Sequence, residues 1–597
     1  MLFGMMTRLL AGHKASVLAI VLLQLVQTVG NLLLPTVNTA IIDDGIVAGD
    51  TPVIVRLGVV MAAIAAAQAM AAIGAGYLSA AVAMKLGRQL RGEIFAKIQS
   101  LSSQEVAAFG TQSLVTRATN DTQQIQSFAV LVFTMLVVAP VMGVGGVVLA
   151  LHQDATLSSV VIVIVPVLLL IMYLIVRRLV PLYREGQELL DRTGGVLREQ
   201  IIGANVIRAF VRQGHETRRF AETNASLTGN NLQSALVVAG MLPVIMIVVN
   251  ISSVAVVWFG GHRVHAGEMK LGALTAFVAY ILQILLAIMM AMYVLMTAPR
   301  AAVCAERIRA VLDTVPSVRD GQEHQGDDRD DGVRTGGAGP VSGGAGPPSG
   351  GSGVTFRNVS FSYPGAEARV LENISFTALP GTTTAIVGST GSGKSTLLNL
   401  VPRFLDSTAG RITVDGRDIR SLPLDFLRGN MAVVPQHSHL FTGTIADNLR
   451  IAAPAATDAE LWEALGTAQA ADFVQELPLG LQTPVGQGGT NLSGGQRQRL
   501  CIARALLRRA SLYLFDDSFS ALDYDTDARL RDALEASLSE AVVIFVAERI
   551  ATVAGAGLIL VLDDGHLVAQ GTHYELLETC STYREIAVSQ LSLEETL

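Results

Sequence analysis

Charged side chains are scarce in this chain, at 16% of 597 residues, where an ordinary soluble domain carries about 25%. Hydrophobic residues make up 51% instead, so much of the surface is expected to face lipid rather than water. A basic surplus is also missing. The formal net charge is −7, and binding to a phosphate backbone requires a basic face, which argues against a nucleic-acid partner. Cysteine is limited to Cys304, Cys501 and Cys580, with neither pairing nor metal-ligand spacing. That excludes a disulfide-built fold and fits reduced thiols in a cytosolic setting. No cleavable secretory signal is read at the start, because the first long apolar run is followed by five more.

Those six runs are Ala15 to Pro35, Leu57 to Met84, Phe128 to Leu151, Leu157 to Val176, Ala235 to Phe259 and Leu271 to Ala298. None contains Asp, Glu, Lys or Arg, and each reaches the roughly 20 residues that a helix needs to cross the hydrocarbon. No such run follows residue 300. The segments between them alternate in length and charge. Lys85, Arg88, Arg91, Lys97 and Arg117 lie between spans two and three, and Arg177 to Arg219 holds nine arginines' worth of basic stretch between spans four and five, while the turn after span one carries Asp43, Asp44 and Asp50. Basic residues stay on the cytoplasmic side, so both termini and both long segments are expected there, in an integral multi-pass protein of the plasma membrane (the inner membrane of a bacterium). About 25 helical residues in either segment extend some 35–40 Å beyond the bilayer, far enough to meet a soluble domain.

Residues 321–353 turn charged and then rich in Gly, Pro and Ser, which reads as a flexible linker. From Val354 onward, apolar strands alternate with helical stretches, the pattern of an α/β domain. The strand Thr384 to Val387 runs into Gly388, Ser389, Thr390, Gly391, Ser392, Gly393, Lys394, Ser395 and Thr396, and a helix-like stretch follows. This is a phosphate-binding loop in the required context. Its glycines let backbone N–H groups close around phosphates, Lys394 reaches the β and γ phosphates, and the Ser395 hydroxyl ligates Mg²⁺. ATP and Mg²⁺ are therefore the expected cofactors. A second apolar strand ends in Asp516 and Asp517, placing one carboxylate for the metal and the next for the attacking water. Between them, Leu492, Ser493, Gly494, Gly495 and Gln496 open a helix, a second anion cradle.

On these motifs the chain resembles the ABC transporter superfamily over nearly its whole length. Residues 354–597 resemble its nucleotide-binding domain, and residues 1–320 resemble the exporter-type transmembrane domain with two cytoplasmic coupling regions. The fold class expected is an α-helical transmembrane bundle of six helices with long cytoplasmic extensions, followed by an α/β P-loop nucleotide-binding domain of ABC type. By the same resemblance Tyr363 is the aromatic that stacks on adenine, and Gln436 senses Mg²⁺ and the membrane domain. Leu492 to Gln496 is the signature motif, and Ser520 to Asp523 the loop that communicates across a dimer. Gly486 to Gly489 is the exporter-specific loop, with Gln487 where glutamate is usual. Phe109 to Asp121 and Gly203 to Glu216 are expected to contain the coupling helices. The family implies two cassettes paired head to tail, with each ATP between one P-loop and the opposite signature motif, driving alternating access.

Two positions depart from the family pattern. Asp517 stands where the catalytic glutamate is usual and is one methylene shorter, and a base displaced by about 1 Å can lose on the order of 100-fold. Glu548, after the strand Val543 to Ala547 and before Arg549, occupies the position of the switch histidine. An ionised carboxylate cannot donate to a γ-phosphate and repels it. Both changes fall in one ATP site, so the chain resembles the degenerate subunit of a heterodimeric multidrug exporter. Its partner is expected to be a second, non-identical half-transporter carrying Glu and His at those positions. The competing readings are a working homodimer, an importer with exporter architecture taking up siderophores or other compounds, and an ATP-gated regulatory membrane protein.

The membrane half says less about cargo. Gln24, Gln27 and Asn31 share one face of span one and either line a substrate path or tie helices together. Met289, Met292 and Met296 share a face of span six and serve either a variable apolar ligand or plain packing. No ionisable residue lies at mid-membrane, and the cargo expected is a small amphipathic compound, a drug or a lipid.

Overall fold

The structure is a computed structural model that describes residues 2–154, 156–321 and 353–590. Of the linker expected at 321–353, residues 322–352 lie outside the described residues. The chain separates into two compact units. One comprises Met1–Gln99 and Thr111–Thr314, the other Ser100–Gly110 and Val315–Leu597.

Among the described residues the first unit holds six helices long and apolar enough to cross a membrane: Gly4–Ile46, Thr51–Ser100, Thr111–Gln153, Ser158–Ile202, Gln213–His265 and Leu271–Leu312. Each contains one of the six apolar runs and most continue well past it, because the flanking basic segments keep helix-forming composition. The third is broken at Leu136 and Val137, between Thr122–Met135 and Val138–Gln153. Pro140 has no N–H for the Leu136 carbonyl there. Two apolar clusters organise the bundle, and the last helix belongs to both. In one, its Ala301, Ala305 and Ile308 pack with Leu86 and Leu90 of the second helix and Ile125 and Phe128 of the third. In the other, its Phe277, Tyr280 and Ile284 pack with Leu168 of the fourth and Val249 of the fifth.

Some polar groups in this bundle pair across helices, since hydrocarbon offers no partners. The hydroxyls of Thr36 and Tyr280 share a hydrogen bond of 2.7 Å, and Gln283 donates through Nε2 to the backbone carbonyl of Asn31 at 2.9 Å. On the polar face of span one, Gln24 is buried with its Oε1 unpartnered. Met292 is buried within the second cluster, with Met289 and Met296 packed against it, so the methionine stripe acts as packing there.

Among the described residues the second unit contains twelve strands: β1 (Val354–Phe361), β2 (Leu371–Ala378), β3 (Thr383–Gly388), β4 (Ala409–Val414), β5 (Arg417–Asp418), β6 (Met431–Val434), β7 (Gly443–Thr444), β8 (Pro484–Val485), β9 (Leu512–Asp516), β10 (Val542–Val546), β11 (Leu558–Asp563) and β12 (His566–Gly571). An antiparallel sheet runs in the order β2-β1-β4-β5, and a six-stranded sheet in the order β12-β11-β3-β10-β9-β6. The larger sheet is parallel from β11 to β6. Both its faces are buried, as parallel sheets require. With the period-2 alternation of strands, Tyr513 and Phe515 enter the helical core, while Leu512 and Leu514 enter the core shared with the antiparallel sheet.

The short helix preceding the third span differs in position from expectation. It lies at Ser103–Phe109 rather than within Phe109 to Asp121. Ser102 and Glu105 form a capping box that starts it, and Gly110 at φ 76° ends it, a left-handed conformation that glycine adopts without cost. Residues 111–121 instead begin the next long helix, through the π-helical turn Arg117–Asp121. Within the second unit, Ser103 Oγ donates to the carbonyl of Phe404 at 3.3 Å, and Ser102 and Ser317 share a hydroxyl hydrogen bond of 3.0 Å. The other short helix, Ala204–Ala209, falls inside the expected Gly203 to Glu216.

Arg403 fastens the start of the second unit. It is 3% exposed, pairs in fork geometry with Asp406 at 2.8 Å, and donates to the carbonyls of Ile419 and Arg319. The substitution Arg403→Ala leaves the part-exposed Asp406 carboxylate and the carbonyls of Ile419 and Arg319 without their donor. It should cost this unit about 2 kcal/mol, read as a lowered thermal midpoint of the full-length chain. Arg403→Lys, which keeps the charge but not the fork, should recover only part of that loss.

Candidate functional site

β3 delivers the phosphate-binding loop at its C-terminal end, and the helix Lys394–Leu400 follows at once. Three glycines make this possible. Gly391 and Gly393 adopt φ of 88° and 97°, and a Cβ on Gly388 would meet the carbonyl oxygen of Leu562 at 2.0 Å. Lys394 is 8% exposed, and its Nζ donates to the carbonyls of Gly388 and Ser389, both at 2.9 Å. Ser392 Oγ is buried without a protein partner. A cradle that excludes side chains, an inward lysine held only by backbone and an orphaned hydroxyl fit a phosphate chain. Ser395 Oγ donates to Asp516 Oδ1 at 2.8 Å. Together these offer two hard oxygens to Mg²⁺, the remaining ligands coming from phosphate and water as that ion prefers. Thr396 Oγ1 lies 3.3 Å from the Tyr363 hydroxyl, and the Tyr363 ring is 40% exposed, leaving a face free for a base.

Strand order decides what surrounds Lys394. β10 lies between β3 and β9, with Val546 opposite both Ile386 and Asp516. Glu548, two residues beyond Val546, therefore emerges between the phosphate-binding loop and the acidic strand. Burial pushes the Lys394 ammonium down, and the carboxylates of Glu548, Asp517 and Asp516 oppose that shift, Glu548 most strongly. Burial raises both acidic-strand carboxyls. For Asp516 the Ser395 bond works against it, and for Asp517 the nearby Ser520, Gln436 and Lys394 do so while Glu548 adds to the rise. The Ser520 hydroxyl itself donates to the Asp517 backbone carbonyl at 3.0 Å. Asp517 also sits at φ 46°, an uncommon conformation for a residue with a side chain. Gln436 is exposed after β6, near enough to Asp517 to favour its charged form.

The signature segment stands apart from this cluster as a helix start. Ser493 and Gln496 form a capping box on Gly494–Leu506, with Gln496 N donating to Ser493 Oγ and Ser493 N to Gln496 Oε1. Gly495 and Gly494 carry no side chain over the cap. Arg497 ties the preceding turn to it through the carbonyls of Gly489 and Leu492, and Gln487 lies exposed in that turn.

Three contributors were not singled out from the sequence. Gln498, 3% exposed, donates to the Asp517 carbonyl and accepts from Ala521 N–H, both at 3.2 Å, joining the signature helix to the acidic loop. Its place on the face shared with Cys501, Ile502 and Ala505 was the available signal, a polar residue in an apolar stripe. Ser518 Oγ donates to the Val434 carbonyl at 3.1 Å. Arg549 reaches the carbonyls of Leu522 and Ser520, and nothing local in sequence marks that long-range pairing.

Comparison with known proteins agrees with this arrangement. Residues 17–289 match the model of the ABC transporter transmembrane region, and residues 371–520 match that of the ABC transporter. An uncharacterized ABC transporter ATP-binding protein of Mycobacterium tuberculosis is 45% identical, covering 100% of this chain and 99% of that protein. An ATP-dependent lipid A-core flippase of Chromobacterium violaceum is 31% identical, covering 92% and 91% respectively. The solved structure of a bacterial Atm1-family ABC exporter with ATP bound shares the fold, at TM-score 0.77 and 24% identity over 96% of this chain and 97% of that one.

The raised Asp516 carboxyl yields a prediction with a definite sign. Its folded pKa lies above its usual 3.8, so the native state holds the proton longer than the unfolded state. Stability is then lost as pH rises from the unfolded value through the folded one. The variant Asp516→Asn should flatten that part of the pH–stability profile and raise the thermal midpoint at neutral pH. It should also abolish the Mg²⁺ dependence of nucleotide binding, a stability gain paired with a functional loss.

Proposed function

The chain belongs to the ABC transporter family, and on that premise we propose that it is the degenerate-site half of a heterodimeric, ATP-driven exporter. Glu548 beside Lys394 is the observation that carries this reading. A hydrolytic site needs a donor there for the γ-phosphate, and this one supplies a carboxylate next to two others.

Bound Mg·ATP supplies a γ-phosphoryl group whose transfer to water drives the transport cycle. Lys394 would hold the β and γ phosphates, Ser395, Asp516 and Gln436 the metal, and Tyr363 the base. Asp517 would orient the water, from a carboxylate one methylene shorter than glutamate. With a carboxylate at position 548 in place of a donor to the γ-phosphate, this P-loop hydrolyses its ATP slowly. The intact Ser493 to Gln496 cradle, free of that cluster, completes the partner's site.

A second chain is supported independently by the tip of the fourth and fifth helices. Ile202, Val206, Phe210 and Val211 around the short helix are 60–80% exposed, an apolar cluster that a monomer rarely leaves to water. The two short helices Ser103–Phe109 and Ala204–Ala209 are the coupling helices in this reading, and both termini are cytoplasmic. Amphipathic cargo, lipid or drug, fits a bundle without mid-membrane charge, and the flippase relatives act on a lipid by name.

Native mass spectrometry of the complex purified from its own membranes tests the pairing. Two chains of different mass are expected. A pair of identical 63.0 kDa chains with rapid ATP turnover would overturn the degenerate-site reading. The double change Asp517→Glu, Glu548→His should raise turnover at this chain's own site by on the order of 100-fold, measured with the partner's site inactivated.

A further inference from the structure

The C-terminal helix Ser581–Gln590 is a fixed wall of the nucleotide-binding unit. Tyr583 and Ala587 are fully buried, and the Tyr583 hydroxyl lies 2.7 Å from Nδ1 of His573. Its last residue turns back onto the loop that carries Glu548. Gln590 Nε2 donates to the carbonyl of Glu548 at 2.8 Å, and Gln590 Oε1 accepts from the N–H of Ile550 at 2.8 Å. The partners fix the amide's orientation, since a backbone N–H only donates and a carbonyl only accepts.

One side chain thus satisfies backbone groups on both sides of Arg549, whose guanidinium holds Ser520 and Leu522. Upstream, the loop is tied by Ala547 N–H to the Ile386 carbonyl at 3.2 Å. Between that tie and the helix Ile550–Val553, the amide of Gln590 is what fixes the backbone at position 548. Fixing a backbone residue removes conformational freedom worth roughly 1–2 kcal/mol, so an unclamped Glu548 would sample positions away from Lys394.

We propose that Gln590 is a positioning residue for the ATP site: it clamps the 548–550 loop, keeps Glu548 against the phosphate-binding loop, and thereby sets how the site discriminates ATP from ADP. This clamp matters for nucleotide choice only if Glu548 faces the γ-phosphate position, as the proposed function has it. A held carboxylate penalises the nucleotide carrying the extra phosphate, and a released one does so less.

Fluorescent N-methylanthraniloyl ATP and ADP, titrated into the full-length chain in nanodiscs, give the ATP-to-ADP affinity ratio directly. Glu548→Ala should raise that ratio about tenfold. Gln590→Ala should raise it about threefold, as should Gln590→Asn, which is one methylene too short to span both groups and serves if the alanine variant folds poorly. In the Glu548→Ala background, either change at 590 should have no further effect, because the clamp acts through that carboxylate. A ratio that stays fixed in both Gln590 variants, or shifts equally with and without Glu548, would overturn the clamp. An unchanged ratio in Glu548→Ala alone would sink the reading of Glu548 and the clamp with it.

Discussion

β3, β10 and β9 lie side by side and parallel, apolar on both faces, so their polar residues can appear only where the strands end. That constraint gathers the site. The phosphate-binding loop, Glu548 and the Asp516–Asp517 pair come from three distant parts of the sequence, yet emerge along one edge because Val546 is in register with Ile386 on one side and Asp516 on the other. Ligand sites in open α/β sheets collect at the carboxyl ends of the strands for this reason. The Ser395–Asp516 hydrogen bond then closes the edge by joining the loop of β3 to the end of β9.

The cost of that gathering is electrostatic. Lys394 and Asp516 are buried, Asp517 half-buried and Glu548 exposed at the rim, and burial opposes the charges of the first three. Lys394 meets the cost through two backbone carbonyls and Asp516 through Ser395. Glu548 brings a further negative charge to a place that must also accept triphosphate. The hydrogen bonds of Gln498 and Arg549 act one step away. They hold the backbone of the acidic loop so that the corner keeps its shape whichever charge is present.

The membrane-spanning unit answers a different constraint. Lipid offers no hydrogen bonds, and polar groups of the spans find partners across helices where they can, as the Thr36 hydroxyl does with Tyr280 and the Gln283 amide with the Asn31 carbonyl. Beyond the bilayer the same helices continue unbroken through basic segments and end in short turns. The tip around Ala204–Ala209 keeps its apolar residues open, whereas Ser103–Phe109 is fastened through Ser103 to Phe404. Two short helices with similar composition thus have different surroundings.

Local chemistry was legible in the sequence. Apolar runs of spanning length, a glycine-rich loop between strand and helix, and a serine before Gly-Gly at a helix start each specify their structure over a few neighbouring residues, and each is found where its residues stand. Glu548 could be recognised as an acidic intruder by its place in the motif. Its nearness to Lys394 could not, because register between β3 and β10 is a product of packing across 160 residues of chain. The first short helix was misplaced for the same kind of reason: the capping box at Ser102 and Glu105 and the left-handed Gly110 outweighed the family spacing. Gln498, Arg549 and Gln590 gave no local signal of their partners, since a side chain that bonds to a remote backbone has no periodicity to reveal it. The sequence by itself determined which chemistry is present and on which element it lies. Only the tertiary structure decided which charges share a corner, because that depends on the order in which a twice-buried sheet lays its strands together.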